Sequence, residues 1–206
     1  MPNHGQFASW DDQKRWAFAS LPMEWRNLPT VGFTVDDVTS PWTIDYNCIA
    51  YAAKDDTQPW WPMPIGLSIR YYHWPPDLPR EDPATKENFF RAFEKLEYKR
   101  CKNGKRQYGY EKVALYVDGS DVPTHMAREL GDGIWHSKLG DFQDIRHHAL
   151  EAAETVAYGT AKYFMRKRIK GISRWAIIKG KLLGALVVPS KHSVPRIPLF
   201  IYDKPS

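Results

Sequence analysis

Residues 113–140 read VALYVDGSDVPTHMARELGDGIWHSKLG, and this stretch decides the fold class. Three short apolar and aromatic runs, at residues 113–117, 124–130 and 134–139, are separated by turns built from Asp and Gly. Runs of this length between Asp/Gly turns are typical of antiparallel strands joined by tight connections. The stretch therefore predicts a small antiparallel sheet in which each strand pairs with the next.

Helical patterns flank this sheet on both sides. They occur at residues 10–21, 45–54, 84–98 and 149–157. In the second of these, Asp45 or Asn47 can cap the first turn, and the small and aliphatic residues that follow suit a buried helix. This helix carries Cys48 near its start. The pattern predicts an α+β fold in which the Cys48 helix packs on the antiparallel sheet.

A segment dense in Pro and Trp, residues 58–83, separates two of the predicted helices. Proline at this density excludes a helix and a central strand, so we expect an ordered loop held by aromatic packing. Trp60 and Trp61 follow the Cys48 helix closely and are predicted to form one wall of a substrate cleft. Simple core packing is the alternative role for both indoles.

Composition excludes several classes of protein. The chain has 206 residues, of which 43% are hydrophobic, so it can bury a core and is not wholly disordered. No run approaches the roughly 18 uncharged apolar residues of a membrane span. The first ten residues lack the basic and apolar regions of a secretory signal. Two cysteines are too few for a disulfide scaffold, so we expect a cytoplasmic protein in a reducing compartment.

The net charge of +5 is distributed unevenly along the chain. Residues 162–206 contain eleven Lys and Arg but one acid, which makes this segment +10 and leaves −5 on the rest. The asymmetry predicts an α+β domain at residues 1–161 and a basic C-terminal extension at residues 162–206. The residues of the extension that are candidates for binding nucleic acid or other anions are Arg166, Lys167, Arg168, Lys170 and Arg174.

The extension also contains an apolar run at residues 175–188. The run includes two lysines and is too short to span a bilayer, which leaves a core hairpin or an interfacial segment. Four partners fit such an extension: nucleic acid, an anionic surface, an acidic protein, and the acidic body of the same chain.

Cys48 is the strongest candidate for a catalytic residue. A thiol at a helix start has its thiolate stabilised by the helix dipole and by free N–H groups, which also suit an oxyanion hole. His125, on a predicted strand, would act as the base, and His147 or Ser137 would orient its imidazole. A cysteine on a helix followed by a histidine on a strand is the chain order of papain-like thiol enzymes. The plain alternative is a buried thiol that packs as a small hydrophobe.

The histidines also raise the alternative of a metal site. His125, His136 and His147 follow one another at intervals of eleven residues, with Asp121 or Asp144 as a carboxylate ligand. That interval matches no familiar metal-binding motif, so the sequence predicts no metal and no other cofactor.

Several motifs recur in a fixed order along the middle of the chain. They are NCIAYA (residues 47–52), WWP (60–62), EKVALY (111–116), THMAR (124–128), WHSKLG (135–140), IRH (145–147) and YG (158–159). Together they resemble a bacterial and phage family of uncharacterised domains with the pattern NCIAWA…WWP…EKVALY…THAAR…WxSKLG…IxH…YG. The resemblance implies that Cys48, His125 and His147 occur together, and His136 departs from it where the pattern has a small polar residue. The layout of Cys helix and His strand is also similar to that of NlpC-type and CHAP-type cysteine hydrolases, which implies a papain-like arrangement.

Two functions follow from these patterns. The first is a cysteine-dependent hydrolase or acyl-transfer enzyme that acts on an amide or peptide bond, with Cys48 as nucleophile, His125 as base and His147 as its partner. The residues expected to bind its substrate are Asn47, Trp60, Trp61 and Ser137. The second is a non-catalytic protein that binds nucleic acid, an anionic surface or an acidic partner through the basic extension.

Overall fold

A computed structural model of the chain describes residues 9–20, 34–68 and 70–173. The helices in this part are α1 (Trp10–Ser20), α2 (Cys48–Ala53) and α3 (Lys86–Lys95), and the strands are β1 (Lys99–Cys101), β2 (Tyr110–Val117), β3 (Pro123–Glu129), β4 (Trp135–Lys138), β5 (Asp144–His147) and β6 (Thr160–Arg168). Short 3-10 turns stand at Val35–Asp37 and Leu150–Ala153. The fold is mixed α and β and rich in strands, which confirms the predicted class at that level.

The six strands form one antiparallel sheet in the order β1-β6-β2-β3-β4-β5. The predicted meander is present as β2, β3 and β4, and β5 continues it. Asp118 holds the turn between β2 and β3, because its carboxylate accepts hydrogen bonds from the N–H groups of Ser120 and Val122. Local turn chemistry therefore sets this half of the sheet.

Helices α2 and α3 cover one face of the sheet, which we call the helix-covered face. Phe89 and Phe93 of α3 and Ile49 of α2 are almost fully buried against it. The sheet contributes alternate residues of three strands to this core: Val113, Leu115, Met126 and Met165. Each buried aromatic or aliphatic side chain of this size stabilises the fold by about 1.5–3 kcal/mol.

The opposite face, which we call the loop-covered face, carries the intervening residues of the same strands. Its core consists of Ala114, Tyr116, Ala127, Trp135 and Ala153. Gly159 allows the chain to approach this face closely: its φ is +70°, and a Cβ atom there would lie 1.9 Å from the carbonyl oxygen of Val117. Since both faces are covered, β2 is buried along almost its whole length.

The last described part of the chain differs from the prediction. Within residues 149–157 only the short turn Leu150–Ala153 is helical. The basic segment begins inside β6, which pairs with β1 on one side and β2 on the other, so the predicted boundary between residues 161 and 162 falls within an interior strand. Strand β6 fits the sheet because Tyr163 and Met165 pack on the helix-covered face, while Ala161 and Phe164 pack on the loop-covered face. Arg174 and the apolar run at residues 175–188 lie outside the described residues.

Candidate functional site

Asn47 starts helix α2, as the sequence predicts. Its side-chain carbonyl accepts hydrogen bonds from the N–H groups of Ala50 and Trp60, each at 3.1 Å, and its amide donates to the Trp60 carbonyl at 2.8 Å. One side chain therefore caps the helix and fixes the Pro/Trp loop. These bonds occupy both ends of the Asn47 amide, the residue that was expected to bind substrate.

Cys48 is the first residue of α2 and is buried. Burial raises the pKa of its thiol to about 11, although the Met126 N–H and the Lys138 ammonium act in the opposite direction. The helix has only six residues, too few for a substantial dipole. The depressed pKa expected of a resting thiolate at a helix start is therefore not found.

The structure does not bring Cys48 and His125 together. Helix α2 packs on the helix-covered face beside Met126, and successive residues of a strand point to opposite faces. The imidazole of His125 accordingly lies on the loop-covered face, stacked on the ring of Tyr158 at 3.8 Å between centroids. The sheet separates the predicted nucleophile from its predicted base.

His125 is joined instead to the two residues that were expected to orient it. Its Nε2 atom lies 3.1 Å from Ser137 Oγ, which lies 3.0 Å from His147 Nε2. His147 Nδ1 lies 2.7 Å from the Ala149 carbonyl and must donate to it, so its Nε2 accepts the Ser137 hydroxyl proton. His125 Nε2 then donates to Ser137 Oγ. We call this chain the His–Ser–His network.

The His–Ser–His network is closed to solvent. Ser137 and His125 have no exposed surface, and His147 is 4% exposed. Burial is the main cause that lowers the pKa of His125 well below its usual value and that of His147 to about 4. Both rings are therefore neutral near pH 7, and the network holds β3, β4 and β5 together as a buried polar cluster.

The three histidines of the metal alternative do not converge. His136 lies directly across from Arg128 on β3 and Arg146 on β5, and its side chain is on the face opposite to His125 and His147. Asp121 is engaged by Lys86, Lys162 and the Tyr163 hydroxyl. Over the described ranges, no group of three His, Cys, Asp or Glu side chains is arranged to hold a metal ion.

Trp60 and Trp61 pack as core residues of the Pro/Trp loop. The indole N–H of Trp60 donates to Asp55 at 2.7 Å. The Trp60 ring contacts the His73 ring, with 4.7 Å between the two centroids. Trp61 meets Phe89 edge-on at 5.4 Å between centroids. Trp60 thus packs within the loop, and Trp61 joins the loop to α3.

Pairing of β1 with β6 brings two basic segments of the chain together. Residues 99–106 and 162–170 each contain five Lys or Arg and no acid, and Lys99 lies directly across from Arg166. The connection 102–109 runs over the same side of the sheet, where Gln107 accepts a hydrogen bond from Arg166 at 2.7 Å. The first of these segments is visible in the sequence as a basic turn, but its proximity to the second is not.

Six of these side chains have no carboxylate of the described residues within ion-pair distance. They are Lys99, Lys102, Lys105, Arg106, Arg166 and Arg168, and we call them the basic surface. Lys167 and Lys170, which the sequence also nominates, lie instead near Glu97. Of the five predicted anion-binding residues, two therefore belong to the basic surface.

A family model described as a domain of unknown function (DUF7689) matches residues 37–166, more than half of the chain. The chain belongs to the DUF7689 family. This result confirms the resemblance carried by the sequence motifs at the level of an uncharacterised domain family. A comparison with curated proteins and one with solved structures each returned no match.

The matched segment extends from the turn before α2 to most of β6. The DUF7689 domain thus includes Cys48, the His–Ser–His network and all of the basic surface except Arg168. No helix in residues 9–20, 34–68 and 70–173 is long and apolar enough to cross a membrane.

Proposed function

We propose that the DUF7689 domain binds nucleic acid through the basic surface. The observation that carries this proposal is the antiparallel pairing of β1 with β6, which gathers two acid-free basic segments on the loop-covered side of the sheet. Cations clustered on one surface neutralise phosphates and release the counterions that surround a nucleic acid, which supplies most of the non-specific affinity.

Two features of these cations suit the binding of nucleic acid. Lys54, Lys95 and Lys162 each form an ion pair with a carboxylate, whereas the basic surface keeps its charge uncompensated. Tyr110, which is half-buried, lies among the cations, with the guanidinium of Arg166 5.0 Å from its ring centroid. Cations beside an aromatic ring suit phosphate contacts combined with base stacking.

The papain-like hydrolase remains a hypothesis with less support. It needs a base beside Cys48, and both His125 and His147 belong to the loop-covered face. The amide or peptide substrate that was expected from the sequence therefore has no site in the arrangement Cys48–His125–His147.

Fluorescence anisotropy with a labelled 20-nucleotide single strand, measured between 50 and 200 mM salt, tests the proposal. The test variant changes Lys99, Lys102 and Lys105 to Gln. Each phosphate contact that is lost should reduce the slope of log K against log salt by about 0.7, so the slope should fall by roughly 2. Substitution is preferable to truncation after Ala161, because truncation removes an interior strand.

The matched control changes the ion-paired Lys54, Lys95 and Lys162 to Gln, which removes the same net charge elsewhere. We expect the control to bind like the wild type. Equal weakening of both triple variants would contradict a specific surface. Binding of anionic vesicles or polyglutamate at equal affinity, with no preference for the oligonucleotide, would also overturn the nucleic-acid proposal.

A further inference from the structure

A groove of about 410 Å³ lies where β6 ends, between Glu97 and residues 167–172, and we call it the β6-end groove. Its volume falls within the range of roughly 300–1,000 Å³ that is usual for small-ligand sites. The half-buried side chains of Ile169 and Ile172 give it apolar walls, and three cations of the same segment bring positive charge. Apolar walls beside cations suit a ligand that combines a flat ring with a phosphate, as a nucleotide does.

The β6-end groove is continuous with the basic surface. Arg168 belongs to both, and its guanidinium donates to the Ile172 carbonyl at 2.8 Å, which fixes the turn of the chain after β6. Arg166 and Arg168 lie on one face of β6, because alternate residues of a strand share a face. A strand of nucleic acid whose phosphates contact these two arginines would therefore bring a base to the groove.

Glu97 contributes a carboxylate to this groove. Its Oε2 atom lies 3.5 Å from Lys167 Nζ and 3.8 Å from Lys170 Nζ. Both distances exceed those of a good hydrogen bond, which are about 2.7–3.2 Å. The Glu97 side chain is 66% exposed, so its oxygens can accept hydrogen bonds from a ligand in the groove.

The backbone of Glu97 has a conformation that glutamate rarely adopts. Glu97 follows the end of α3 with a φ of +70°, in the left-handed region where glycine or asparagine is usual after a helix. A glutamate at this position lowers the stability of the domain relative to glycine. A residue in a strained backbone conformation points to a role for its side chain.

We propose that the β6-end groove binds one base of a single-stranded nucleic acid, and that Glu97 selects bases that carry an exocyclic amino group. This inference rests on the proposed function and names the class of strand. The basic surface contacts the phosphates, Ile169 and Ile172 pack against the base, and the Glu97 carboxylate accepts a hydrogen bond from the amino group. Cytosine has this amino group, whereas thymine has a carbonyl oxygen in its place, which the carboxylate repels. Packing against the face of a base requires an unstacked base, and therefore a single strand.

Fluorescence anisotropy with labelled 20-nucleotide strands of dC alone and of dT alone, at neutral pH and low salt, tests the inference on the full-length chain. We expect the dC strand to bind about 10-fold more tightly, as for one hydrogen bond to a charged acceptor. Glu97→Gln should remove this preference, because an amide can accept from cytosine and also donate to thymine. Glu97→Gly should remove it too and should raise the melting temperature, since glycine suits the left-handed backbone.

The matched control is Glu94→Gln, because Glu94 is also exposed and lies three residues earlier on α3, where it pairs with Arg100. This variant loses the same charge outside the groove and should keep the preference for dC. Equal affinity of the wild type for the two strands, with binding still weakened by salt, would overturn this inference and leave the proposed function standing. A preference that persists in both Glu97 variants, or that is lost equally in Glu94→Gln, would also overturn it. A wild type that binds neither strand would overturn the proposed function itself.

Discussion

Ser137→Ala tests the His–Ser–His network directly. The hydroxyl accepts a hydrogen bond from His125 Nε2 and donates one to His147 Nε2, so its removal leaves two buried ring nitrogens without partners. A buried polar group that loses its partner costs about 1–3 kcal/mol. We therefore expect the free energy of unfolding to fall by about 2–5 kcal/mol for this one-atom deletion.

Urea denaturation followed by far-ultraviolet circular dichroism measures the effect. With an m-value of about 2 kcal/mol per molar, the midpoint should fall by roughly 1–2.5 M while m stays the same. Ser120→Ala is the control, because Ser120 is exposed in the turn after β2 and should change stability by less than about 0.5 kcal/mol. A loss for Ser137→Ala that is no larger than the control would refute the role of the His–Ser–His network in holding β3, β4 and β5 together.

Three further changes have expected outcomes. The folded pKa of His147 is lowered to about 4, below its unfolded value of about 6.5. The unfolded chain therefore takes up the proton first, and stability present above pH 6.5 should decline by about 3 kcal/mol by pH 4, as urea midpoints would report. A flat profile over that range would contradict the burial of a neutral ring. Gly159→Ala places a Cβ atom 1.9 Å from a carbonyl oxygen and should lower the melting temperature strongly, whereas Gly119→Ala, with open space around it, should not. Asn47→Ala removes a helix cap and both bonds to Trp60, so we expect a loss of about 1–2 kcal/mol in thermal or urea unfolding, and Asn47→Asp should recover part of it by retaining the cap.

The meander was predictable because its signals are local. Each connection from β2 to β4 is marked by Asp and Gly, and each strand follows within a few residues. The positions of β1 and β6 were not predictable in the same way. β1 has three residues, and its partner lies more than 60 positions later, so no turn between them reveals the pairing.

The face of the sheet on which the His125 side chain lies could not be decided from the sequence. Alternation shows that His125 and Met126 point to opposite sides of β3, but a choice between the sides needs one polar and one apolar face. Both faces of β2 and β3 are covered, so neither strand shows a clean alternation of apolar and polar residues. The start of α2, by contrast, was predictable from Asn47, whose capping bonds are made within the same few residues.

The two edges of the sheet are protected in different ways. β5 is covered by the chain before α2, where Val38 bridges Ile145. β1 is a three-residue strand whose outer side pairs with no strand of the described chain, and it carries Lys99 and Arg100. A short cationic edge resists joining the edge of a second molecule, since like charges would meet. Lys99 thus protects the β1 edge against pairing with a second molecule, in addition to its place in the basic surface. An anion that neutralises Lys99 removes this protection, unless the anion also covers the β1 edge.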